Sequence, residues 1–328
     1  MTILVTGSAG HLGEGLMRVL RDAGRPALGL DIKPSPYTDI LGSITDRDLL
    51  KRVFEDVRSV IHTATLHKPH VATHAAQDFI DTNVTGTLCL LEAAMQAQVE
   101  AFVFTSTTST FGLALSPAPD EPAAWITEAV TPIPKNIYGA TKLGAEHLCE
   151  MFSRRRGLPL IVLRTSRFFP EEDDTAAIRD RFGTANAQMN ELLYRRADLA
   201  DLVDAHFLAL DHAPELGFQR FIASAPTPFA EDDLAGLRRN APDVLWRYFP
   251  DARAVYEEKG WSMFDSIDRV YVSRPAMDAL GWKPKWDFAA ALEKVKRGED
   301  FRSPLARAVG IKGYHDTVFA DGPFPVED

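Results

Sequence analysis

Apolar residues in the first half of the chain fall into two kinds of segment. Ile3 to Val5, Ala27 to Leu30, Val60 to Ile61, Phe102 to Phe104 and Leu160 to Leu163 are short apolar runs without alternation. Strands of that kind are covered on both faces, as in a parallel sheet between helices. Near 11–23, 46–56, 74–97 and 137–156, apolar positions instead recur at helical spacing. Strand and helix taken in turn predict an α/β fold, with a doubly wound, Rossmann-type parallel sheet over residues 1–165. Pro117, Pro119, Pro122, Pro132 and Pro134 break this rhythm and predict a long loop from Gly112 to Pro134. Beyond Arg164 the alternation is irregular. Residues 166–328 therefore read mainly as a smaller C-terminal substrate lobe, with a helical stretch near 198–212 rejoining the first domain.

Composition narrows the class. A chain of 328 residues with 45% hydrophobic and 25% charged residues buries a substantial core and is no disordered tail. Its formal charge of −10 argues against a nucleic-acid partner, which needs a dense basic face. No apolar run approaches the roughly 20 residues that cross a bilayer, so no membrane span is predicted. Thr2 to Gly7 reads as a folded strand, without a basic leader, and the expectation is a cytoplasmic enzyme. Cys89 and Cys149 lie far apart in apolar helical segments and read as buried, reduced thiols.

Two clusters carry candidate chemistry. Directly after the first strand comes Thr6-Gly7-Ser8-Ala9-Gly10-His11-Leu12-Gly13, which opens into a helix. Glycines at Gly7, Gly10 and Gly13 let backbone N–H groups of Gly10, His11, Leu12 and Gly13 approach a pyrophosphate. Asp31, 18 positions past Gly13, ends the second strand, where a carboxylate accepts from ribose hydroxyls and repels a 2′-phosphate. NAD is the cofactor expected, with nearby Lys33 the one residue that argues for a phosphate. Tyr138 and Lys142 stand four apart on one helix face. A tyrosine acting as a base at neutral pH needs its pKa lowered by roughly 3 units, about 4 kcal/mol, and Lys142 with a cationic nicotinamide is the expected source.

Taken in order, the glycine loop, Asp31, Asn83, the run Phe104-Thr105-Ser106-Thr107-Thr108-Ser109-Thr110-Phe111-Gly112 and Tyr138-Gly139-Ala140-Thr141-Lys142 resemble the extended short-chain dehydrogenases/reductases. More narrowly, the chain is similar to their NAD-dependent epimerase/dehydratase branch, which includes nucleotide-sugar epimerases. A weaker likeness continues through Ala200 to Leu210 and Ser273 to Pro284. The resemblance implies Tyr138 as acid/base and Lys142 as the ribose-holding group that acidifies it. Thr107 becomes the hydroxyl on the substrate oxygen, with Thr108 its alternative if the register slips by one. Asn83 would bend its helix and relay protons. Ala64 and Thr65 would lie along the cofactor, and Ser43 and Ile44 near the adenine, although Ser43 replaces the usual acid. The resemblance also implies a homodimer paired through the 74–97 and 137–156 helices.

Departures from the family pattern bear on substrate. Thr108 and Ser109 replace the acid pair of dehydratases, which leaves epimerisation or dehydrogenation at a secondary alcohol of a sugar-like substrate. Arg167 stands where nucleotide-sugar enzymes place an Asn, and could pair with a substrate anion. The acid run Glu171 to Asp174 beside it reads as a solvated loop that repels a diphosphate. His67, His70 and His74 share a helical face, but Pro69 and the lack of a nearby carboxylate argue against a metal. His67 or His70 is instead a candidate substrate contact, and Arg274 is either a pocket cation or a surface residue. The rival reading of the whole chain is a catalytically silent NAD(H)-binding regulatory or scaffold protein.

Overall fold

The computed structural model describes residues 2–173, 175–313 and 319. Seven parallel strands form the central sheet: β1 (Thr2–Thr6), β2 (Ala27–Asp31), β3 (Ile40–Leu41), β4 (Val57–His62), β5 (Ala101–Thr107), β7 (Leu160–Thr165) and β10 (Phe218–Ala223). Their order is β10-β7-β5-β4-β1-β2-β3. The chain builds outward from β1 to β3 and then crosses back to β4. The strand order reverses between β1 and β4, and the crevice at their carboxyl ends is where such sheets take ligands.

Successive strand residues point to opposite faces, which explains the unbroken apolar runs. Ile3, Val5, Ile61, Val103, Ile161 and Leu163 join a core with helices α1 (His11–Asp22) and α8 (Leu199–Leu216). Leu4, Val60, Phe102, Phe104, Leu160 and Val162 join the opposite core. There they meet α4 (Gly86–Gln96) and α5 (Ile137–Arg156), with α2 (Arg47–Val53) beside them. Both faces of the sheet are covered by helices, so neither is a wet face. Cys89 and Cys149 are free and buried.

The predicted 74–97 helix is three pieces. A short α3 (Ala76–Phe79) passes through a π-helical turn, Ile80–Thr85, into α4. The predicted loop from 112 to 134 also needs correction, because it contains a short 3-10 turn and β6 (Ala124–Ile126). That strand pairs in parallel with β11 (Arg269–Tyr271) from the far end of the chain, a partner no local pattern announces.

The second half is interleaved with the first. After β8 (Arg167–Phe168) come α6 (Ala176–Phe182), α7 (Thr184–Leu192) and β9 (Arg196–Ala197), which pairs with β8. Helix α8 then returns to the sheet and β10 extends its edge beside β7. Helices α9 (Leu234–Tyr248), α10 (Ala252–Lys259), α11 (Arg274–Leu280) and α12 (Phe288–Lys296) build the lobe, and α13 (Pro304–Val309) packs back on α1 and α8. Among the described residues no helix is long and apolar enough to cross a membrane.

Candidate active site

A cleft of about 710 Å³ opens over the carboxyl ends of β1, β4 and β5. Its floor is the glycine loop. Gly7 has φ +74°, and a Cβ there would meet the Ala64 nitrogen at 2.6 Å. A Cβ on Gly13 would fall 2.0 Å from the Gly7 carbonyl oxygen. Only glycine lets the first turn of α1 lie against the loop this closely. Gly10 caps α1 without a side-chain cap, and Gly10, His11, Leu12 and Gly13 line the cleft.

Asp31 stands at the end of β2 on the cleft wall, accepting from Ala9 N at 2.9 Å and Lys33 N at 2.8 Å. Each carboxylate oxygen keeps acceptor capacity beyond these bonds. Ser43, Ile44, Ala64 and Thr65 line the same cleft. A tight backbone cradle at a helix N-terminus, with a carboxylate at the next strand end, fits a dinucleotide: the cradle suits pyrophosphate and Asp31 suits the ribose.

At the other end of the cleft, Thr107 and Tyr138 meet. Asn136 caps α5 by accepting from Gly139 N at 3.0 Å, which sets Tyr138 in the first turn. The phenol and Thr107 line the same cleft, and the Thr107 hydroxyl accepts from Ser109 N at 3.1 Å. Thr108 and Ser109 line the cleft beside them. Burial pushes the phenol up to about 12, against a smaller downward pull from Thr107.

Lys142 departs from the expectation that it acidifies Tyr138. Its ammonium donates to the Thr105 carbonyl at 2.7 Å and sits 4.0 Å from the Phe104 ring centroid, and it is not part of the cleft wall. Burial lowers this amine to about 7. One helical turn further on, Glu146 accepts from Ser106 Oγ at 2.6 Å and pairs with Arg164 and Arg220. Helix α5 thus holds Thr105 and Ser106 through Lys142 and Glu146 in turn.

Asn83 also differs from its expected relay role. Its side-chain oxygen accepts from Thr65 Oγ1 and Leu66 N, both at 2.9 Å, and its amide donates to Leu66 O at 2.9 Å and Thr141 Oγ1 at 3.1 Å. These bonds brace the loop after β4 against α5. Its backbone carbonyl accepts from Thr87 Oγ1 at 2.7 Å. The helical bend comes from the π turn that contains it.

The acid run is not a solvated loop. Glu171 and Asp173 are 8% and 3% exposed. Asp173 pairs with Arg167 at 2.5 Å and Arg195 at 2.7 Å, and buried Glu191 pairs with Arg167, Arg195 and Arg196. Burial alone would raise the Asp173 carboxyl, but the two guanidinium groups hold it well below the usual carboxylate range. Arg167, Arg195 and Arg269 line this end of the cleft, so the carboxylates that were expected to repel a diphosphate are neutralised. Asp174 lies outside the described residues. Sequence reading missed Arg195, Arg269, Glu171 and Lys312 as cleft residues, since each arrives by long-range packing.

His67 and His70 line the cleft, with their ring centroids 4.9 Å apart, and the His67 ring lies 6.4 Å from that of Tyr138. His74 packs on His70 at 5.0 Å. Among the described residues no three His, Cys, Asp or Glu side chains are grouped to hold a metal. Arg274 is a surface residue paired with Asp278.

The sequence pattern of the NAD dependent epimerase/dehydratase family matches residues 3–217, more than half of the chain, and the protein belongs to that family. It is 32% identical over 328 residues, 90% of this chain and 96% of the relative, to a UDP-glucose 4-epimerase of Rhizobium leguminosarum bv. trifolii. It is 25% identical to a low-salt glycan biosynthesis protein of Haloferax volcanii over 89% of this chain and 96% of that one. A short-chain dehydrogenase/reductase superfamily protein from Agrobacterium tumefaciens, solved with bound NAD, shares the fold at TM-score 0.65. That match has 23% identity and covers 91% of this chain and 98% of the other. The protein is an NAD-dependent enzyme of this family.

Proposed function

We propose that the protein is an NAD-dependent epimerase acting at a secondary alcohol of a nucleotide-linked sugar. The observation that carries this is that Thr107 and Tyr138 line the same cleft as the glycine loop and Asp31. The relatives named UDP-glucose 4-epimerase support the substrate class. Thr108 and Ser109 bring no carboxylate to the reacting end, which disfavours dehydration.

In this reading Gly7, Gly10 and Gly13 cradle the pyrophosphate, Asp31 receives the adenosine ribose, and Ser43 and Ile44 adjoin the adenine. Bound NAD supplies reversible hydride acceptance. Tyr138 exchanges a proton with the substrate hydroxyl, and Thr107 donates to the oxygen that gains charge. Burial makes the ionised phenol costly, so the proton leaves Tyr138 only with compensating positive charge in the cleft. Lys142 fixes the Thr105 backbone and so the register of Thr107. Arg167 and His67 flank the substrate. A homodimer paired through α4 and α5 belongs to the same reading and is checked by light scattering.

Incubation with UDP-glucose, followed by chromatography of the sugar and absorbance at 340 nm, tests the proposal. An epimerase interconverts the C4 epimers without net NADH. Steady NADH accumulation would identify a dehydrogenase instead. The placement of Lys142 off the cleft wall favours a second reading, a dinucleotide-binding protein without turnover. Binding of NADH with no turnover of any sugar nucleotide, and no effect of Tyr138→Phe on biological activity, would establish that alternative.

A further inference from the structure

Three distant segments meet at the His11 imidazole. His11 is the first residue of α1 and is buried. Its Nε2 lies 2.5 Å from Glu171 Oε1, in the loop after β8, and 2.8 Å from the backbone nitrogen of Lys312, so both segments converge on one ring nitrogen. The Lys312 ammonium in turn pairs with Glu14 Oε2 at 2.5 Å, one turn along α1, and Glu14 is also held by Arg18. His11, Glu171, Lys312 and Gly313 all line the cleft. The Glu171 oxygens are fully buried and accept no hydrogen bond among the described residues, and the His11 ring is packed directly against them.

We infer that His11, Glu171 and Lys312 form a clasp that joins the glycine loop to the substrate lobe and the C-terminal segment, and that this clasp sets the rate of dinucleotide exchange. The inference rests on the dinucleotide reading of the cleft. Geometry gives the reason. The loop that cradles a pyrophosphate carries, in its first helical residue, a side chain in contact with two other segments that line the cleft. A dinucleotide seated between them leaves when those segments separate from α1, and separation breaks the His11 contacts. His11 is a positioning residue in this account, acting through Glu171 and Lys312.

The test is NADH release, followed as the fluorescence change when bound NADH is chased with excess NAD. His11→Phe keeps a flat buried ring without the polar contacts. Glu171→Ala removes the same contact from the other side and serves if the first variant fails to fold. Each is expected to release NADH on the order of 10-fold faster. The double variant should be no faster than the faster single, because both break one device. Hydrogen exchange of residues 305–313 in the absence of dinucleotide gives a readout independent of cofactor, with faster exchange expected in both variants. Wild-type release rates with unchanged exchange would overturn the inference. Failure of the wild-type protein to take up NADH, with the 305–313 protection intact, would overturn both the cofactor reading and the exchange role while leaving the contact itself real.

Discussion

The Lys142 ammonium donates to the Thr105 carbonyl at 2.7 Å, two residues before the hydroxyl that meets Tyr138. Burial lowers the Lys142 amine to about 7, so between that pH and 10.5 the unfolded chain binds a proton that the folded chain does not. Folding stability contributed by this group therefore climbs as pH rises through that window, and the climb is absent below about 7. Urea denaturation at pH 7 and pH 9 should show the gain in the native protein and a smaller one in Lys142→Met. Equal gains in the two proteins would contradict the buried, depressed amine.

His206 gives a test of the same sign on the acid side. Its ring sits 2.8 Å from Thr105 Oγ1 and 2.7 Å from the Leu202 carbonyl oxygen, and burial lowers it to about 4. A histidine lowered below 6.5 contributes stability that is fully present above that pH and is lost as pH falls toward 4, by about 3 kcal/mol. His206→Gln, which keeps a donor and an acceptor, should flatten the acid limb of the stability curve. An unchanged limb would show that the ring charges freely in the fold.

Tyr138→Phe removes the phenol and keeps the ring. Turnover should fall by about 10²–10⁴-fold while NADH binding persists, since the substitution leaves the glycine loop and Asp31 unchanged. Single-turnover kinetics and fluorescence titration on the same preparation separate the two effects. Loss of both would place Tyr138 in the fold of the site and not in its chemistry.

Gly13→Ala probes the cradle. With the added carbon 2.0 Å from the Gly7 carbonyl, the loop must move away from α1, and NADH affinity should fall at least about 10-fold, or 1.4 kcal/mol. Isothermal calorimetry reads this directly. Wild-type affinity would mean that dinucleotide is held elsewhere.

Glu191→Gln unbalances the cationic end of the cleft, where one fully buried carboxylate serves Arg167, Arg195 and Arg196. Leaving buried guanidinium charge uncompensated should cost about 3 kcal/mol or more of stability. A loss below about 1 kcal/mol, outside the range for a broken buried pair, would show that Asp173 alone balances the cluster.

Local patterns carried much of this architecture. The β1 to α1 turn, the two-faced strands and the Tyr138 helix are legible because their determinants lie within a few residues of one another. The end of β5 at Thr107 is legible because the apolar run Phe102 to Phe104 passes directly into a turn ending at Gly112. What escaped depends on distant partners. Asp173 looks solvated until Arg195 arrives from 22 residues away, β6 is invisible without β11, and Lys142 looks free until β5 presents the Thr105 carbonyl. The bracing of Thr65, Leu66 and Thr141 by Asn83 needs three elements in place.

Strand β10 borders β7 only after the chain has laid down α6, α7, β9 and α8. A polypeptide emerging from the ribosome N-terminus first consequently carries an open β7 edge until residue 223 has been synthesised. The nucleotide-binding half cannot mature ahead of the lobe's opening segment, and a fragment ending near residue 165 would present that bare edge to any neighbouring strand.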